Sequence, residues 1–375
     1  MRILELGKFY PPERGGIETL LRLWSEGLVA RGAEVDCVVA NRRPERVREK
    51  VAGVRVHRLA SFGEVFSTSL CPAYLGAARR YPADLWHVHF PNPLADLAVL
   101  AGARRTPVVV HWHSDIIRQA TLLRLYGPLQ AALLRRATRI VVATPLHLEH
   151  SRWLAPHREK VEVIPFGLNL ERFRLEPDLR QRAAAFRDAA RGRPVLLNIG
   201  RLVGYKGQRH AVEAMAGLDA ELWLVGTGPL EAELRELARH HRVADRVRFW
   251  GDAPDADLPA LLHAADVFVF PSVTPNEAFG LVLVEAMACG KPLVACSLKS
   301  GVPFVCRDGV NGLLVPPGDS AGLRRAVDRL LSSPALRERL GSAGRRLAEA
   351  EFSATVMLDR TLALFQRLVA GGSRP

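Results

Sequence analysis

Short apolar runs rich in β-branched residues recur along the chain and alternate with longer segments of helical periodicity. Runs that are apolar throughout, rather than alternating with polar residues, are typical of strands buried on both faces of a parallel sheet. In the first half the runs predict strands at Arg2–Leu6, Val35–Ala40, Val54–Leu59, Leu85–His89, Val108–Trp112, Ile140–Ala143 and Val161–Ile164. In the second half they predict strands at Val195–Ile199, Glu221–Val225, Val247–Trp250, Val267–Phe270, Leu293–Cys296 and Gly312–Val315.

Helical segments fill most gaps between these strands, including Ile17–Arg31, Leu122–Arg136, Leu230–His240 and Leu281–Cys289. Strand–helix alternation that occurs twice predicts an α/β fold with two doubly wound, Rossmann-like domains. Proline and glycine interrupt the pattern near residues 165–169, so we expect a first domain at 1–168 and a second at 169–350. Residues 351–375 continue as a helical tail.

Composition is that of a globular protein with large cores, since 48% of the 375 residues are hydrophobic and 24% are charged. No run of about 18 apolar residues is free of charge, which predicts no membrane-spanning helix. The five cysteines are odd in number, and no two have C-x-x-C spacing. This pattern favours reduced thiols in a cytoplasmic protein over a zinc site or a disulfide framework.

Positive charge is concentrated in the first half of the chain. The net charge is +13, and residues 1–168 hold 24 Lys and Arg against 15 Asp and Glu, a surplus of +9. Such a surplus favours an anionic partner, whether phosphate, nucleic acid or an acidic membrane face. An Arg-rich exposed surface without a specific partner is the alternative interpretation.

One helical segment of the first half combines arginines with leucines. A basic amphipathic helix of this kind can lie on an anionic bilayer, which would place the protein at the inner membrane face. An ordinary helix whose leucines pack on its own sheet has the same pattern, and that alternative stays open. The residues concerned are Arg118, Arg124, Arg135, Arg136 and Arg139, with Leu122, Leu123, Leu125, Leu129, Leu133 and Leu134.

Two cations and three glycines share the loop after the strand Val195–Ile199. Arg201 offers a planar fork of donors and Lys206 a mobile point charge, a combination suited to a diphosphate. The loop is neither a Walker A loop nor G-x-G-x-x-G, and a solvated basic turn is the alternative. Other glycines that suit close approach to a ligand are Gly226, after the next strand, and Gly15 and Gly16, which open the first helix.

Two glutamates lie eight residues apart in the segment after the strand Val267–Phe270. Glu277 is in the loop, and Glu285 is two turns into an apolar helix, where a carboxylate is costly to bury without hydrogen-bond partners. Sugar and ribose hydroxyls are natural partners for both. The amides of Phe279, Gly280 and Leu281 begin the helix and can bind phosphate oxygens.

Histidines end two strands of the first half, with His87 and His89 on one face of one strand and His111 and His113 on one face of the next. No third ligand at a known spacing joins them, so we expect no metal site. A substrate-orienting or catalytic role for His113, with Asp115 nearby, fits their position at a strand-to-loop exit. The D-x-D string Asp255-Ala256-Asp257 is better explained by helix capping than by metal binding.

In combination these loops resemble the retaining glycosyltransferases of family 4, which have the GT-B fold. The resemblance covers nearly the whole chain, and its two glutamates form the pattern E-x7-E. The segment 111–115 resembles a subgroup of bacterial polysaccharide mannosyltransferases. Departures from the commonest pattern, at Phe304 after Gly301-Val302-Pro303 and at Phe166-Gly167, leave the identity of the sugar open.

The resemblance implies a role for each matched residue. Arg201 and Lys206 would hold the donor diphosphate, Glu277 the transferred sugar and Glu285 the ribose. The Gly15-Gly16 loop would lie against the diphosphate and the acceptor, and His113 would contact the reacting sugar. The family also implies a terminal helix that crosses back to the first domain.

The implied reaction moves a hexose from GDP-mannose or a UDP-sugar to a glycan or lipid-linked acceptor, with retention and without a metal or other cofactor. A sugar-nucleotide epimerase or hydrolase on the same fold is the nearest alternative. A nucleic-acid-binding protein is favoured by charge alone, because the sequence has no RNP or zinc-finger motif. A dinucleotide-dependent oxidoreductase would need G-x-G-x-x-G after a strand, which neither half supplies.

Overall fold

A computed structural model describes residues 1–13, 15–65, 68–103, 105–115 and 120–372, with the backbone alone at 120–125 and 372. The chain divides into two compact units. The first consists of Met1–Phe166 and Ala354–Pro375, and the second of Gly167–Ser353. Within the described residues, no helix is both long enough and apolar enough to cross a membrane.

Most strands of the first unit belong to one eight-stranded sheet. The described strands are β1 (Arg2–Leu6), β2 (Glu34–Ala40), β3 (Val47–Val51), β4 (Val54–Leu59), β5 (Glu64–Val65), β6 (Thr68–Ser69), β7 (Leu85–Phe90), β8 (Val108–Trp112), β9 (Arg139–Val142) and β10 (Val161–Val163). The order in the large sheet is β10-β9-β8-β7-β1-β2-β4-β3, and β5 pairs with β6 in a separate hairpin. All neighbours in the large sheet are parallel except β3 and β4.

Every residue of the central strands β7 and β8 is buried. Such strands need cover on both faces of the sheet, and helices provide it. The helices between the strands are α1 (Gly16–Val29), α2 (Ala77–Arg80), α3 (Pro93–Ala101), α4 (Ala120–Arg136) and α5 (Pro145–His150). Short 3-10 turns lie at Pro72–Gly76 and Ala155–Lys160.

The second unit contains a six-stranded, fully parallel sheet in the order β13-β12-β11-β14-β15-β16. These strands are β11 (Val195–Ile199), β12 (Glu221–Val225), β13 (Val247–Gly251), β14 (Val267–Phe270), β15 (Leu293–Cys296) and β16 (Gly312–Val315). Its helices are α6 (Pro177–Asp188), α7 (Gln208–Ala214), α8 (Glu231–His240), α9 (Leu258–Ala264), α10 (Leu281–Ala288), α11 (Val302–Val305), α12 (Ser320–Leu331) and α13 (Pro334–Glu351). Two 3-10 turns lie at Glu171–Phe173 and Gly204–Lys206.

The last helix, α14 (Ala354–Gly372), belongs to the first unit and packs on α1. Trp24 Nε1 donates to Thr361 Oγ1 at 3.3 Å, and both side chains are buried. The Phe365 ring lies 5.1 Å from the ring of His87. The C-terminal segment therefore completes the core of the unit that the N-terminus begins.

Each sheet has a point where the strand order reverses. In the first unit this point lies between β1 and β7, and in the second between β11 and β14. In open α/β sheets, ligands bind beyond the carboxyl ends of the strands at such a point. The loops after these four strands are consequently where the fold favours a binding site.

The two-domain α/β fold predicted from the sequence is confirmed. The strands it missed are β3 and the short pair β5 and β6. Within β3, Arg48, Glu49 and Lys50 replace an apolar run, because an antiparallel strand at the sheet edge is only partly buried.

The interpretation of α4 as a membrane-facing helix is wrong at its described C-terminal end. Leu133 and Leu134 are fully buried in the core of the first unit. The Arg136 guanidinium donates to the carbonyls of Ala103 and Thr106 at 3.0 and 2.6 Å. Arg118 and the side chains of Leu122, Leu123, Arg124 and Leu125 lie outside the described residues.

Candidate functional site

Backbone segments approach one another closely at the reversal point of the second unit. A Cβ atom on Gly226, where φ is +125°, would lie 2.3 Å from the Gly200 carbonyl oxygen. One on Gly207, where φ is +66°, would lie 2.0 Å from the Pro271 carbonyl oxygen. Any side chain at either position would push the loops apart. The loops after β11, β12 and β14 are thus built as one tightly packed surface.

Lys206 and Glu277 form an ion pair on this surface. Lys206 Nζ lies 2.5 Å from Glu277 Oε2, and the two side chains are 17% and 11% exposed. Ser272 Oγ donates to the same carboxylate oxygen at 3.2 Å. The structure therefore brings together a cation and a carboxylate that the sequence assigned to different parts of a ligand.

Arg201 lies five residues before Lys206, and its side chain is exposed. Its carbonyl accepts a hydrogen bond from Gln208 Nε2 at 3.0 Å, which fixes the backbone of the loop. Among the described residues, its guanidinium makes no ion pair or hydrogen bond. The guanidinium is accordingly available to an anion without breaking a contact of the protein.

Helix α10 begins beside the Glu277 loop. Gly280 is its N-cap residue and has a φ of +80°, a backbone conformation that residues with a side chain rarely adopt. In the described structure neither Gly280 nor Leu281 donates a backbone hydrogen bond, as is usual at a helix start. Phe279 is buried, with its ring 5.8 Å from that of Phe352. Gly280 and Leu281 thus present amide donors while Phe279 anchors the loop.

Glu285 lies one turn into α10, rather than the two turns expected from the sequence, and is half-buried. No described residue donates a hydrogen bond to its carboxyl group or pairs with it. Burial raises the pKa of Glu285 to about 7, against the smaller lowering effect of Arg172. A partly buried carboxyl group without a partner among the described residues is suited to accept hydrogen bonds from a ligand.

The aspartates of the D-x-D string are held by arginines. Asp255 pairs with Arg172 at 3.1 Å, and Asp257 pairs with Arg182. Asp257 occupies the N-cap position of α9, but its side chain makes no capping hydrogen bond. The capping interpretation of this string is therefore wrong for the Asp257 side chain, because the arginine of a neighbouring segment competes for the carboxylate.

In the first unit, the histidines of β7 and β8 meet a carboxylate from β1. Glu5 Oε2 lies 2.8 Å from His87 Nδ1 and 3.0 Å from His89 Nε2. His89 Nδ1 in turn lies 3.0 Å from His113 Nε2. Sequence reasoning missed Glu5, although a charge inside the apolar run of β1 was a signal that partners were needed.

Burial and the contacts between Glu5 and the histidines together set the protonation states of this cluster. Burial by itself raises the pKa of Glu5, but attraction to His87 and the hydrogen bonds from His87 and His89 outweigh it and hold the pKa at about 2. Burial lowers the pKa of His89 to about 4 and the pKa of His113 well below its usual range. The Glu5 carboxylate is ionised at neutral pH, and the His89 and His113 rings are neutral.

Glu5, His87 and His89 also have the donor atoms of a metal site, since one atom from each lies within 4.8 Å of the others. The expectation that the histidines lack a third potential ligand is therefore wrong. Hydrogen bonds at 2.8 and 3.0 Å nevertheless give the carboxylate one partner on each ring without an ion.

The remaining predicted residues of the first unit lie at strand and helix ends. Gly15 is the N-cap of α1 and Gly16 its first residue, and a Cβ atom on Gly16 would meet no described atom within 4 Å beyond its chain neighbours and its own helix backbone. Asp115 accepts hydrogen bonds from Trp112 Nε1 at 2.9 Å and from Ser151 Oγ at 2.8 Å. The structure thus gives His113 the partner His89 rather than Asp115.

Comparison with known proteins agrees with the fold of both units. Residues 15–167 match the family model described as glycosyl transferase 4-like domain, and residues 181–347 match glycosyl transferases group 1. Together with the two Rossmann-like units, these matches define a glycosyltransferase with the GT-B fold.

The chain belongs to this glycosyltransferase family and is a hexosyltransferase. It is 33% identical over 379 residues to the O-antigen chain mannosyltransferase C of Escherichia coli, with 100% of each chain covered. It is 34% identical over 359 residues to the D-rhamnosyltransferase WbpZ of Pseudomonas aeruginosa, covering 94% of this chain and 91% of that protein. Among solved structures, sucrose-phosphate synthase from Thermosynechococcus elongatus has a TM-score of 0.77, with 26% identity and 99% of each chain covered.

Proposed function

We propose that the loops at the reversal point of the second unit bind a nucleotide-diphosphate sugar. The contact between Lys206 and Glu277 carries this proposal. In such a donor, the terminal phosphate and the sugar share one oxygen atom. The cation that binds the phosphate and the carboxylate that binds a sugar hydroxyl must therefore lie within a few ångströms of each other. A separation of 2.5 Å meets that requirement.

The other residues of the second unit have complementary roles in this proposal. The exposed guanidinium of Arg201 binds the diphosphate with Lys206, and both neutralise charge on the departing phosphate. The amides at Phe279, Gly280 and Leu281 add donors to the phosphate oxygens. Glu285 accepts hydrogen bonds from the ribose. Gly226 keeps the backbone close enough for the donor to approach.

For the first unit, we propose that Gly15 and Gly16 lie against the diphosphate and the acceptor, and that His113 contacts the transferred sugar. The relatives named above transfer mannose and D-rhamnose. We propose that the donor is GDP-mannose or a UDP-sugar, and that the acceptor is a glycan or a lipid-linked glycan. Transfer retains the anomeric configuration.

The reaction is expected to need no divalent metal. Arg201 and Lys206 supply positive charge at the leaving group, and Asp255 and Asp257 are already paired with arginines. Radiolabelled sugar nucleotides should yield labelled acceptor at an unchanged rate in excess EDTA. A strict requirement for Mg²⁺ or Mn²⁺, restored when metal is added back, would refute this part of the proposal.

The same assay separates transfer from the alternative reactions. A hydrolase, or an epimerase that hydrolyses the donor, transfers the sugar to water and so releases free sugar and nucleoside diphosphate when no acceptor is present. A transferase releases them at a much lower rate without acceptor than with it. Equal release in both conditions would favour the hydrolase or epimerase.

Donor affinity should rise with pH through the titration of Glu285. Its pKa is raised to about 7, so the carboxylate that accepts ribose hydroxyls is a minor form at pH 6 and the major form at pH 8. If only that form binds ribose well, affinity should increase by about tenfold over this range. Titration calorimetry should use the intact sugar nucleotide, because the terminal phosphate of a free diphosphate titrates near pH 6.

The Glu285→Gln variant is the control, since its amide does not titrate. Its donor affinity should be weaker than that of the wild type at pH 8 and nearly independent of pH. Equal affinity of the wild-type protein at both pH values would contradict the assignment of Glu285 to the ribose.

We further propose that the first unit binds an anionic membrane surface that carries a lipid-linked acceptor. Three apolar side chains of the segment around β5 and β6 are exposed: Phe62 at 65%, Val65 at 48% and Leu70 at 47%. Arg43 is joined to this segment through its carbonyl, which accepts from Ser61 N at 3.2 Å. Exposed apolar groups beside an arginine, in a half of the chain with a +9 surplus, suit an anionic bilayer.

Flotation with liposomes tests this surface. The wild-type protein should float with anionic vesicles at low salt, and less at high salt, because screening weakens attraction to the bilayer. The double variant Phe62→Ser/Leu70→Ser should lose binding. Val310→Ser, which removes a side chain of the second unit that is 48% exposed, is the matched control and should bind normally. Absence of wild-type flotation on anionic vesicles at low salt would exclude the membrane and favour a soluble acceptor.

A further inference from the structure

A line of three hydrogen-bonded side chains runs from the centre of the first sheet to the end of β8. It begins at Glu5, passes through His89 and ends at His113, with 3.0 Å between each bonded pair of atoms. All three side chains are buried. We propose that Glu5 and His89 are positioning residues that orient the His113 ring so that its Nδ1 lone pair faces the transferred sugar. This inference rests on the contact between His113 and the sugar proposed above.

The direction of each hydrogen bond follows from the carboxylate. An ionised carboxylate only accepts hydrogen bonds, so His89 must donate to it from Nε2. A neutral imidazole carries one hydrogen, which leaves a lone pair on His89 Nδ1. His113 must then donate from Nε2 to that lone pair. The only remaining ring nitrogen of His113, Nδ1, is consequently an acceptor.

This arrangement restricts the ligand. An acceptor nitrogen favours a sugar group that donates a hydrogen bond, such as a hydroxyl. It disfavours a fluorine, an O-methyl group or a missing hydroxyl at the contacted position. Glu5 and His89 would thus influence which sugar is transferred, although neither needs to touch it.

His87 provides a matched comparison within the same cluster. It is fully buried and bonded to the same Glu5 carboxylate, at 2.8 Å, from the same strand as His89. Its other ring nitrogen, Nε2, has no hydrogen-bond partner among the described residues. His87 therefore shares the burial and the carboxylate but lies off the line to His113.

The first test needs no substrate. In ¹⁵N-histidine NMR spectra of the wild-type protein, the His113 signals, assigned by their loss in His113→Gln, should show a hydrogen on Nε2 and none on Nδ1. A hydrogen on Nδ1 would overturn the inference. Because this measurement is independent of activity, absence of transfer by the wild-type protein would refute the proposed function without affecting the NMR result.

The second test compares His89→Phe with His87→Phe, which replace neighbouring buried rings bonded to one carboxylate. His89→Phe should lower kcat for transfer by between about 10-fold and 100-fold. It should leave the Kd for nucleoside diphosphate unchanged. His87→Phe should lower kcat by much less than His89→Phe, because the hydrogen bonds from Glu5 through His89 to His113 remain in place. Equal losses of kcat in the two variants at similar thermal stability would indicate a merely structural cluster and overturn the inference.

Discussion

Replacing Lys206 by alanine is expected to weaken binding of the nucleoside diphosphate and of the intact donor by about 10- to 100-fold. Loss of a charge-assisted contact is worth roughly 1.5–3 kcal/mol, which gives this range. A second effect acts in the same direction. Without Lys206, the Glu277 carboxylate keeps, among the described residues, only its hydrogen bond from Ser272, and it repels the phosphate. Titration calorimetry with both ligands measures the loss.

Arg201→Ala isolates the direct contribution of a cation. The Arg201 side chain is exposed and makes no contact that stabilises the described structure, so the variant should fold normally and lose affinity only through the missing contact. Arg209→Ala is the matched control, since Arg209 is an exposed cation of the adjacent helix that pairs with Glu213 at 3.4 Å. Donor affinity that is unchanged in both Arg201→Ala and Lys206→Ala would exclude the diphosphate site.

Glu277→Gln is expected to lower the rate of transfer by about 100-fold or more while sparing the nucleoside diphosphate. Glutamine has nearly the same shape and keeps an oxygen that can accept from Lys206 and Ser272. It loses the charge that strengthens a bond to a sugar hydroxyl as positive charge develops on the sugar. Removal of one such contact to a transition state costs about 100- to 1,000-fold in rate.

Initial rates at saturating donor, together with calorimetry of the nucleoside diphosphate, separate these effects. Ser272→Ala removes a neutral donor to the same carboxylate and should have a much smaller effect on the rate. Glu285→Gln should weaken the diphosphate and the donor alike. If Glu277→Gln and Glu285→Gln weakened nucleoside diphosphate binding equally, the division of roles between the two carboxylates would be wrong.

The parallel core of both sheets could be predicted from sequence because burial on two faces leaves continuous apolar runs. Strands such as β8 and β14 consist almost wholly of apolar residues. The edge strand β3 could not be found in this way. Its alternating exposure leaves charged residues in the strand, and its pairing with β4 depends on a short connection rather than on burial.

The candidate site was predictable within each loop but not between loops. Arg201 and Lys206 share one glycine-framed segment, so their common role is visible in the sequence. Glu277 lies 71 residues after Lys206, and only the placement of β14 beside β11 brings the two together. The pattern of apolar runs predicts strands without giving their order, which is why this pair was not foreseen.

The partners of Glu5 could not be predicted from the sequence either. Its partners His87 and His89 lie 82 and 84 residues further on, and the three meet because β7 pairs with β1. A buried carboxylate in an apolar strand indicates that partners exist, but not which residues they are.

The most direct test of the central claim is calorimetric titration of the wild-type protein with three matched ligands: a nucleoside, its diphosphate and the corresponding sugar nucleotide. The account predicts that the nucleoside binds weakly, that the diphosphate gains most of the affinity through Arg201 and Lys206, and that the sugar nucleotide keeps that gain. Equal affinity for the nucleoside and its diphosphate, across guanosine and uridine series, would contradict the account.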